Sequence, residues 1–312
     1  MISRVADHCF WFGRYVERAE SSARTLAAAN SLALDGELTA AQVWRPVIVV
    51  TGEEDAFAKR FADAWGDGEL VQRFMVWDDA NDVSLTRSIA GARWNARSIR
   101  EVLSLEAWEA VNELHLWSTS EAAAAQYAQQ RDAFYHHARR GTQLTLGLLR
   151  STMLHDEPLD FIWLGVLLER VSQTARMLDV HHHAFTHHEV IDTALWLSLL
   201  RALSGQEAYV KRVSGRLSSE SVARFLISES QFPRSIAYCV HSAYERLCDI
   251  RPPDSHDLPG GPSLERLRVL DAWVAARRTE PLAGAAVHDL LTHVVDEIHA
   301  ICGMVGKDLL GA

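Results

Sequence analysis

The sequence predicts an all-α protein, a helical bundle of about a dozen helices. Apolar residues recur at intervals of three and four along most of the 312-residue chain, which places them on one face of a helix. Alanine-rich stretches such as residues 121–130 contain good helix formers with little β-branching. No glycine-rich loop follows a strand-like segment, so a nucleotide-binding α/β fold is not indicated.

A long first helix is indicated by apolar residues spaced three and four apart, namely Ile2, Val5, Cys9, Phe12 and Val16. It should end at Asp35-Gly36, a typical turn pair. The most strand-like segment follows, from Pro46 to Val50. The segment from Ser198 to Ala202, its counterpart in a repeat described below, has a helical pattern, so we predict that both are helical. Further breaks are expected at Gly52 and at residues 65–68.

The second half of the chain should begin after a break at residues 155–158, which end in proline. A long helix is then indicated by the apolar residues Leu164, Leu167, Leu168, Val171 and Leu178. The proline- and glycine-rich run at residues 251–262 predicts a long loop.

Two segments of the chain are similar to each other. FWFGRYVERAESSARTL begins at Phe10, and IWLGVLLERVSQTARML begins at Ile162, 152 residues later. The matched pairs include Trp11 with Trp163, Gly13 with Gly165, Glu17 with Glu169, Arg18 with Arg170, and Arg24 with Arg176. We therefore predict two pseudo-symmetric copies of one helical unit, residues 1–155 and 156–312, which share one core.

The repeat extends beyond this motif, because the same offset aligns Lys59 with Lys211. Farther along, Ser84 can be aligned with Ser235 at an offset of 151, or Arg87 with Arg234 at 147. We prefer the first alignment, because the start of a helix tolerates substitutions better than a helix tolerates insertions.

Composition and charge exclude several classes of protein. The chain is 48% hydrophobic and 23% charged, as ordinary globular proteins are. Its net charge of −10 argues against general nucleic-acid binding, which requires clustered Lys and Arg. Its four cysteines form no C-x-x-C pair, so reduced thiols in a cytoplasmic protein fit best. No apolar run is long enough to suggest a membrane span or a secretion signal.

Several motifs resemble those of one known family. The opening MISRVADHCFWFGRYVERAESSAR, with its Glu17-Arg18 pair, is similar to the start of the alpha-E family of bacterial helical proteins. AGARWNARSIREVLSLEAWEAVNELHLW, FIWLGVLLERVSQTARMLDV and FPRSIAYCV also resemble that family, in the expected order. The chain differs at Asn81-Asp82, where Asn-Pro is usual, and at Val166, where a basic residue commonly follows the glycine. The histidines at 181 and 182 also replace the usual residues.

The resemblance implies partners more than chemistry. Members are typically encoded beside, or fused to, circularly permuted ATP-grasp proteins and transglutaminase-like proteases, and are thought to serve peptide or amide synthesis and modification. It therefore implies a helical binding or scaffolding partner of an ATP-grasp amide ligase. The alternative is an enzyme subunit whose Glu-Arg cluster binds an amino-acid or peptide carboxylate, or a phosphate. No cofactor is implied, and a homo-oligomer remains open.

The repeated motif has a physical interpretation of its own. Gly13, Glu17 and Arg24 lie along one stripe of a helix, where the glycine permits close approach of a second helix. Two such helices could meet so that each Glu accepts a bidentate bond from an Arg of another helix. The charges are then either buried ion pairs that fix helix register or a cationic pocket. General acid or base catalysis by Glu17 or Glu169 is less favoured, because an adjacent Arg lowers a carboxyl pKa.

Further candidates lie outside the motif. Arg93 and Arg97 flank Asn95 on one basic helical face, which is either solvated or paired internally with Glu17 or Glu169. Arg234 lies between Pro233 and Ser235, a pattern typical of a helix start, although the turn could also bind an anion. Asn81 and Ser84 should play the equivalent capping part in the first copy.

Metal binding and nucleophilic catalysis find little support. His183 and His187 have the spacing of two ligands on one helix, but they form no H-E-x-x-H motif and are weak candidates. We therefore expect no physiological metal. No Ser/His/Asp or Cys/His constellation can be assembled, so catalytic residues are not identified.

Overall fold

A computed structural model of the chain describes residues 2–35, 38–184, 191–255, 258–279 and 285–311. These residues form 15 α-helices and no strand, which confirms the all-α prediction. In chain order the helices are α1 (Ser3–Asp35), α2 (Ala40–Thr51), α3 (Glu54–Phe61), α4 (Gly68–Trp77), α5 (Leu85–Ser98), α6 (Leu105–Ser118), α7 (Glu121–Gln129), α8 (Arg131–Thr152), α9 (Glu157–Ala184), α10 (Ile191–Ala202), α11 (Gln206–Arg212), α12 (Ser219–Ser228), α13 (Ile236–Ile250), α14 (Gly261–Ala276) and α15 (Ala285–Val305).

Short turns of other helix types complete the described chain. Ala64–Gly66 and Arg277–Thr279 are 3-10 turns, and Gly306–Leu310 is a π-helical turn. No described helix is long and apolar enough to cross a membrane.

The two longest helices, α1 and α9, pack against each other at the centre of the molecule. Helices α5 and α8 also pack on α1, while α13 and α15 pack on α9. These four helices therefore flank the central pair. The two Glu-Arg motifs lie on α1 and α9 themselves.

The central helices cross at the two glycines of the repeat. A Cβ atom added to Gly13 would overlap the carbonyl group of Ile162, only 2.9 Å from its carbon. A Cβ atom added to Gly165 would overlap the carbonyl group of Phe10 in the same way, 3.1 Å from its carbon. Only residues without a side chain allow this backbone contact. The close approach predicted from the glycine stripe is therefore observed.

Matching helices in the two halves of the chain begin about 151 residues apart. Helix α2 begins at Ala40 and α10 at Ile191, while α5 begins at Leu85 and α13 at Ile236. The residues that follow α2 and α10 share a left-handed backbone, with φ of 79° at Gly52 and 52° at Ser204. The division into residues 1–155 and 156–312 stays a prediction, for which these matching positions are the supporting observation.

The apolar core has two parts. The larger part contains residues from both halves of the chain, for example Phe12 and Val16 of α1 with Leu164 and Leu168 of α9. The smaller part contains only residues between 19 and 138. The first half thus has an additional core of its own.

The strand-like segment from Pro46 to Val50 is helical, as predicted. Val47, Ile48 and Val50 are buried on one side of α2, and this burial outweighs their preference for strands. The breaks at Gly52 and at residues 155–158 are also confirmed, since α2 ends before Gly52 and α9 begins at Glu157. The predicted long loop lies between α13 and α14: its described residues 251–255 and 258–260 are not helical, residues 256 and 257 lie outside the described ranges, and α14 already begins at Gly261.

Candidate functional site

The Glu-Arg motifs meet because of the glycine crossing. Each Glu lies four residues, about one helical turn, after the glycine of its own helix. Helix α1 therefore presents Glu17 and Arg18 to α9, and α9 presents Glu169 and Arg170 to α1. All four residues have little or no contact with solvent.

The two motifs pair reciprocally. Arg170 Nη2 donates to Glu17 Oε2 at 2.6 Å. Arg18 Nε donates to Glu169 Oε1 at 2.8 Å and its Nη2 donates to Oε2 at 3.0 Å. The bidentate bond expected from the sequence is thus present at Glu169. At Glu17 it is absent, because Arg170 uses its second terminal nitrogen to donate to the carbonyl oxygen of Pro233 at 3.2 Å.

Each Glu also has a second Arg, and the two copies obtain it differently. Arg14, which follows Gly13, donates through Nε to Glu169 Oε2 at 2.6 Å. The residue in the same place after Gly165 is Val166, which cannot pair with Glu17. Instead, Arg234 Nη1 donates to Glu17 Oε1 at 2.7 Å. Arg234 thus replaces the basic residue that the sequence lacks at position 166.

The Glu17 side of the crossing continues into a network, which we call the sealed site: Glu17, Glu20, Arg24, Arg170, Ser204 and Arg234. Its charged members are buried, and Ser204 lies at the surface. Arg24 donates to Glu20 Oε1 from Nε at 3.0 Å and from Nη2 at 2.6 Å, and it also bonds to the hydroxyl of Ser204. Arg234 Nη2 donates to Glu20 Oε2 at 2.6 Å. The side chains of Glu17 and Glu20 are 0% and 2% exposed, so no ligand can reach them.

The electrostatics of these groups fit ion pairing rather than acid-base catalysis. Burial alone would raise the pKa of Glu20, but Arg234 and Arg24 outweigh it and lower that pKa to about 2. The pKa of Glu169 is also held well below its usual value, by Arg14 and Arg18, against the effect of burial. A carboxylate with so low a pKa is a weak base. The buried-pair interpretation of the motif therefore describes the sealed site.

The Glu169 side differs, because it borders a pocket of about 160 Å³, which we call the open pocket. Its walls come from α1, α9 and α15, from the last residue of α2 and from the turn before α5. The lining residues are Arg14, Arg18, Thr51, Val83, Glu169, Ser172, Gln173, Arg176, Ile298, His299 and Cys302. The sequence-predicted candidates thus divide into two groups: Glu17, Arg24, Arg170 and Arg234 are enclosed, while Arg18, Glu169 and Arg176 line the open pocket.

The basic face of α5 does not join either site. Arg93 Nε donates to Asn112 Oδ1 at 2.8 Å, and Arg97 is exposed. Asn95 is buried, but its partners are His8 and the carbonyl oxygen of Gly91. These residues therefore do not pair with Glu17 or Glu169, because α5 directs them elsewhere on its surface.

The turn before α13 combines both roles suggested by its sequence. Ser235 caps α13, since its hydroxyl accepts a bond from the backbone nitrogen of Tyr238 at 3.1 Å. Arg234 binds carboxylates of the protein itself. In the first copy Ser84 occupies the cap position of α5, but its buried hydroxyl has no hydrogen bond there. Asn81 acts instead within the turn, where its Oδ1 accepts from the backbone nitrogen of Val83 at 3.0 Å.

The weak metal candidates lie where the structure describes no side chains. His187 lies outside the described residues, and only the backbone of His183 is described, at the end of α9. Within the described ranges, no group of three or more His, Cys, Asp or Glu side chains could hold a metal ion.

Sequence reasoning missed three residues: Glu20 and Ser204 of the sealed site, and Arg14 of the open pocket. Glu20 could have been found, because it precedes Arg24 by four residues on the same helix, a typical ion-pair spacing. Arg14 could also have been found, because it occupies the basic position that Val166 lacks. Ser204 had no signal, since it belongs to a turn far away in the chain.

Comparisons with known proteins identify the family. Residues 1–310 match the model of the Alpha-E family, described as a predicted alpha-helical domain with a conserved ER motif. An uncharacterized protein of Mycobacterium bovis is 27% identical over 296 residues, which cover 89% of this chain and 32% of that protein. An uncharacterized protein of Mycobacterium tuberculosis strain H37Rv is 26% identical over the same coverage.

The chain therefore spans about a third of the length of the curated relatives it matches. No solved structure matches it significantly. Because the family model covers nearly every residue, and because the Glu-Arg pairs that give the family its motif form the centre of the fold, the chain belongs to the Alpha-E family.

Proposed function

We propose that this protein is a cytoplasmic helical binding partner of an ATP-grasp amide ligase, and acts in peptide or amide synthesis or modification. The observation that supports a binding role is the internal use of the Glu-Arg motifs. Arg170 and Arg234 form ion pairs with Glu17, and Arg14 and Arg18 form ion pairs with Glu169. Neither carboxylate is therefore placed for acid-base chemistry. The motif then maintains the shape of a surface that other proteins contact.

The identity of the partner rests on the family resemblance. Alpha-E proteins are typically encoded beside, or fused to, circularly permuted ATP-grasp proteins and transglutaminase-like proteases. The curated relatives are about three times as long as the matched region, which is consistent with a domain that works beside other domains.

The test is a co-expression of the full chain with the ATP-grasp protein encoded in its genomic neighbourhood. We expect the two to elute together in size-exclusion chromatography, with a mass from light scattering equal to a stoichiometric complex. We also expect the rate of ATP hydrolysis by the ligase to change when the chain is added. The transglutaminase-like protease is tested in the same way as a second partner.

An ATP-grasp ligase from an unrelated gene cluster is the matched control, and it should neither elute with the chain nor respond to it. Light scattering of the chain alone shows whether it is a homo-oligomer. Separate elution of the two neighbours, together with unchanged ATP hydrolysis, would refute the proposal.

A further inference from the structure

The open pocket differs from the sealed site at three matched positions, and each difference removes a partner group. Glu20 is matched by Ser172, Ser204 by Gly52 and, in the alignment at 151 residues, Arg234 by Val83. Arg24 is matched by Arg176. The open pocket therefore retains the guanidinium group while it lacks the carboxylate and the hydroxyl that bind the corresponding group in the sealed site.

Arg176 is left without a partner by these differences. Among the described residues it makes no hydrogen bond or ion pair, whereas Arg24 has both Glu20 and Ser204. Its side chain nonetheless lies in the corresponding place, because a Cβ atom at Gly52 would be 3.7 Å from Arg176 Nη1. The guanidinium group thus faces a cavity where its counterpart faces a carboxylate.

The charge of the open pocket is complementary to an anion. Arg14, Arg18 and Arg176 contribute three guanidinium groups against the single carboxylate of Glu169. Glu169 is already paired with Arg14 and Arg18, so it does not neutralise Arg176. A partly buried guanidinium group without a counter-ion favours a bound carboxylate, which can accept two parallel bonds from it.

We propose that the open pocket binds a ligand carboxylate, from a small carboxylic acid or a peptide C-terminus, in the position that the Glu20 side chain occupies in the sealed site. Arg176 donates to it from Nε and Nη2, as Arg24 donates to Glu20. The cavity of about 160 Å³ has room for a carboxylate group, since a cavity needs only about 10 to 15 Å³ of this kind of volume to hold one water molecule. The remainder of a longer ligand extends past His299, which is exposed at the rim. This site does not depend on the proposed partner.

The experiment measures thermal unfolding of the full chain with carboxylates at up to about 50 mM, against sodium chloride of equal ionic strength. Acetate is the probe for a bare carboxylate, and N-acetylglycine is the probe for a peptide C-terminus. N-acetylglycinamide is the neutral control, because it has the same shape without the charge. Inorganic phosphate tests a different anion.

Two variants and one control locate the site. Arg176→Gln removes the guanidinium group, and Ser172→Glu supplies the missing carboxylate from within the chain. Arg97→Gln is the matched control, since Arg97 is exposed on α5 and does not line the pocket. Circular dichroism verifies that each variant is folded.

We expect a saturable rise in unfolding temperature with acetate or N-acetylglycine for the original chain and for Arg97→Gln. The apparent affinity should fall at least about tenfold in Arg176→Gln. Ser172→Glu should unfold at a higher temperature than the original chain and lose the response, because its own carboxylate fills the site. The stronger of the two probes identifies the source of the carboxylate.

The proposal is overturned if the original chain responds to neither carboxylate, or if it responds equally to N-acetylglycinamide. It is also overturned by a response to phosphate alone, or by an unchanged response in Arg176→Gln. If Ser172→Glu does not fold, the comparison of Arg176→Gln with Arg97→Gln decides the question. Binding of a carboxylate without binding of the ligase would leave this site intact and refute only the partner.

Discussion

The glycine crossing of α1 and α9 gives the most direct test of how the fold is held together. An alanine at Gly13 places its Cβ atom 2.9 Å from the carbonyl carbon of Ile162 and 3.1 Å from the backbone nitrogen of Val166. An alanine at Gly165 places it 3.1 Å from the carbonyl carbon of Phe10. The carbonyl oxygens of Ile162 and Phe10 lie closer still and would overlap the added Cβ atoms, so the helices must move apart by about 1 Å or more to restore normal contact distances.

This displacement has a calculable cost. A gap of that size forfeits about a half of the dispersion energy of each contact across the crossing. Overpacked cores lose about 1 to 3 kcal/mol. We expect the upper end, about 3 kcal/mol for either variant, because the same movement lengthens the four Glu-Arg contacts that follow the glycines. The helix-forming preference of alanine offsets at most about 1 kcal/mol of this.

The double variant separates this mechanism from two unrelated defects. One displacement of the helices accommodates both alanines, so the double variant should cost much less than the sum of the single ones, about 4 rather than about 6 kcal/mol. The measurement is urea unfolding followed by far-UV circular dichroism. Gly147→Ala is the control, because Gly147 is an exposed glycine of α8 with no atom within 4 Å of an added Cβ.

Gly147→Ala should stabilise the protein by up to about 1 kcal/mol, since only helix preference changes there. A cost below about 1 kcal/mol for Gly13→Ala or Gly165→Ala would contradict the close contact. Additive losses within about 0.5 kcal/mol would contradict the shared displacement.

Three further predictions concern the buried charges and thiols. Glu17→Gln should lower the free energy of unfolding by about 3 kcal/mol or more. Glu169→Gln should lower it by less, because the guanidinium groups that it releases lie beside the open pocket and can be hydrated. Equal losses in urea titrations would contradict this difference. Because folding lowers the pKa of Glu20 from 4.5 to about 2, its stabilisation is complete above about pH 4.5 and is lost as the pH falls toward 2, so the pH dependence of the unfolding temperature should be shallower in Glu20→Gln. Burial raises the pKa of both Cys9 and Cys239 to about 12, so iodoacetamide at about pH 8 should modify them only after denaturation, as peptide mass spectrometry can show.

Much of the fold could be predicted because its signals are local. The spacing of apolar residues gave the helices, and the two glycines gave the crossing. Even the strand-like α2 was assigned correctly, because its repeat partner α10 has a clearer helical pattern.

The candidate site was predicted only in part, because its pairing depends on distant residues. The sequence indicated that Glu17 and Glu169 would bind Arg, but it did not show that Arg234 approaches from a turn 217 residues away. Nor did it show that Glu20 binds both Arg24 and Arg234 and so completes the sealed site. The sealed site and the open pocket differ because Ser172, Gly52 and Val83 occupy the positions matched to Glu20, Ser204 and Arg234. The effect of these differences can be recognised only once it is known which residues face each other in the fold.

The position of α1 in the chain has a consequence for biosynthesis. Glu17 and Glu20 are synthesised before their partners Arg170 and Arg234, which follow about 150 to 217 residues later. Until then the nascent chain presents a helix with an uncovered apolar face, in which Glu17 lacks both of its arginines and Glu20 has only Arg24. The smaller core between residues 19 and 138 can form during this interval, whereas the central crossing must wait for α9. A ribosome that stalls before α9 would therefore release a fragment that depends on chaperones, and the protein should fold slowly for a helical one because its essential contacts are so far apart in sequence.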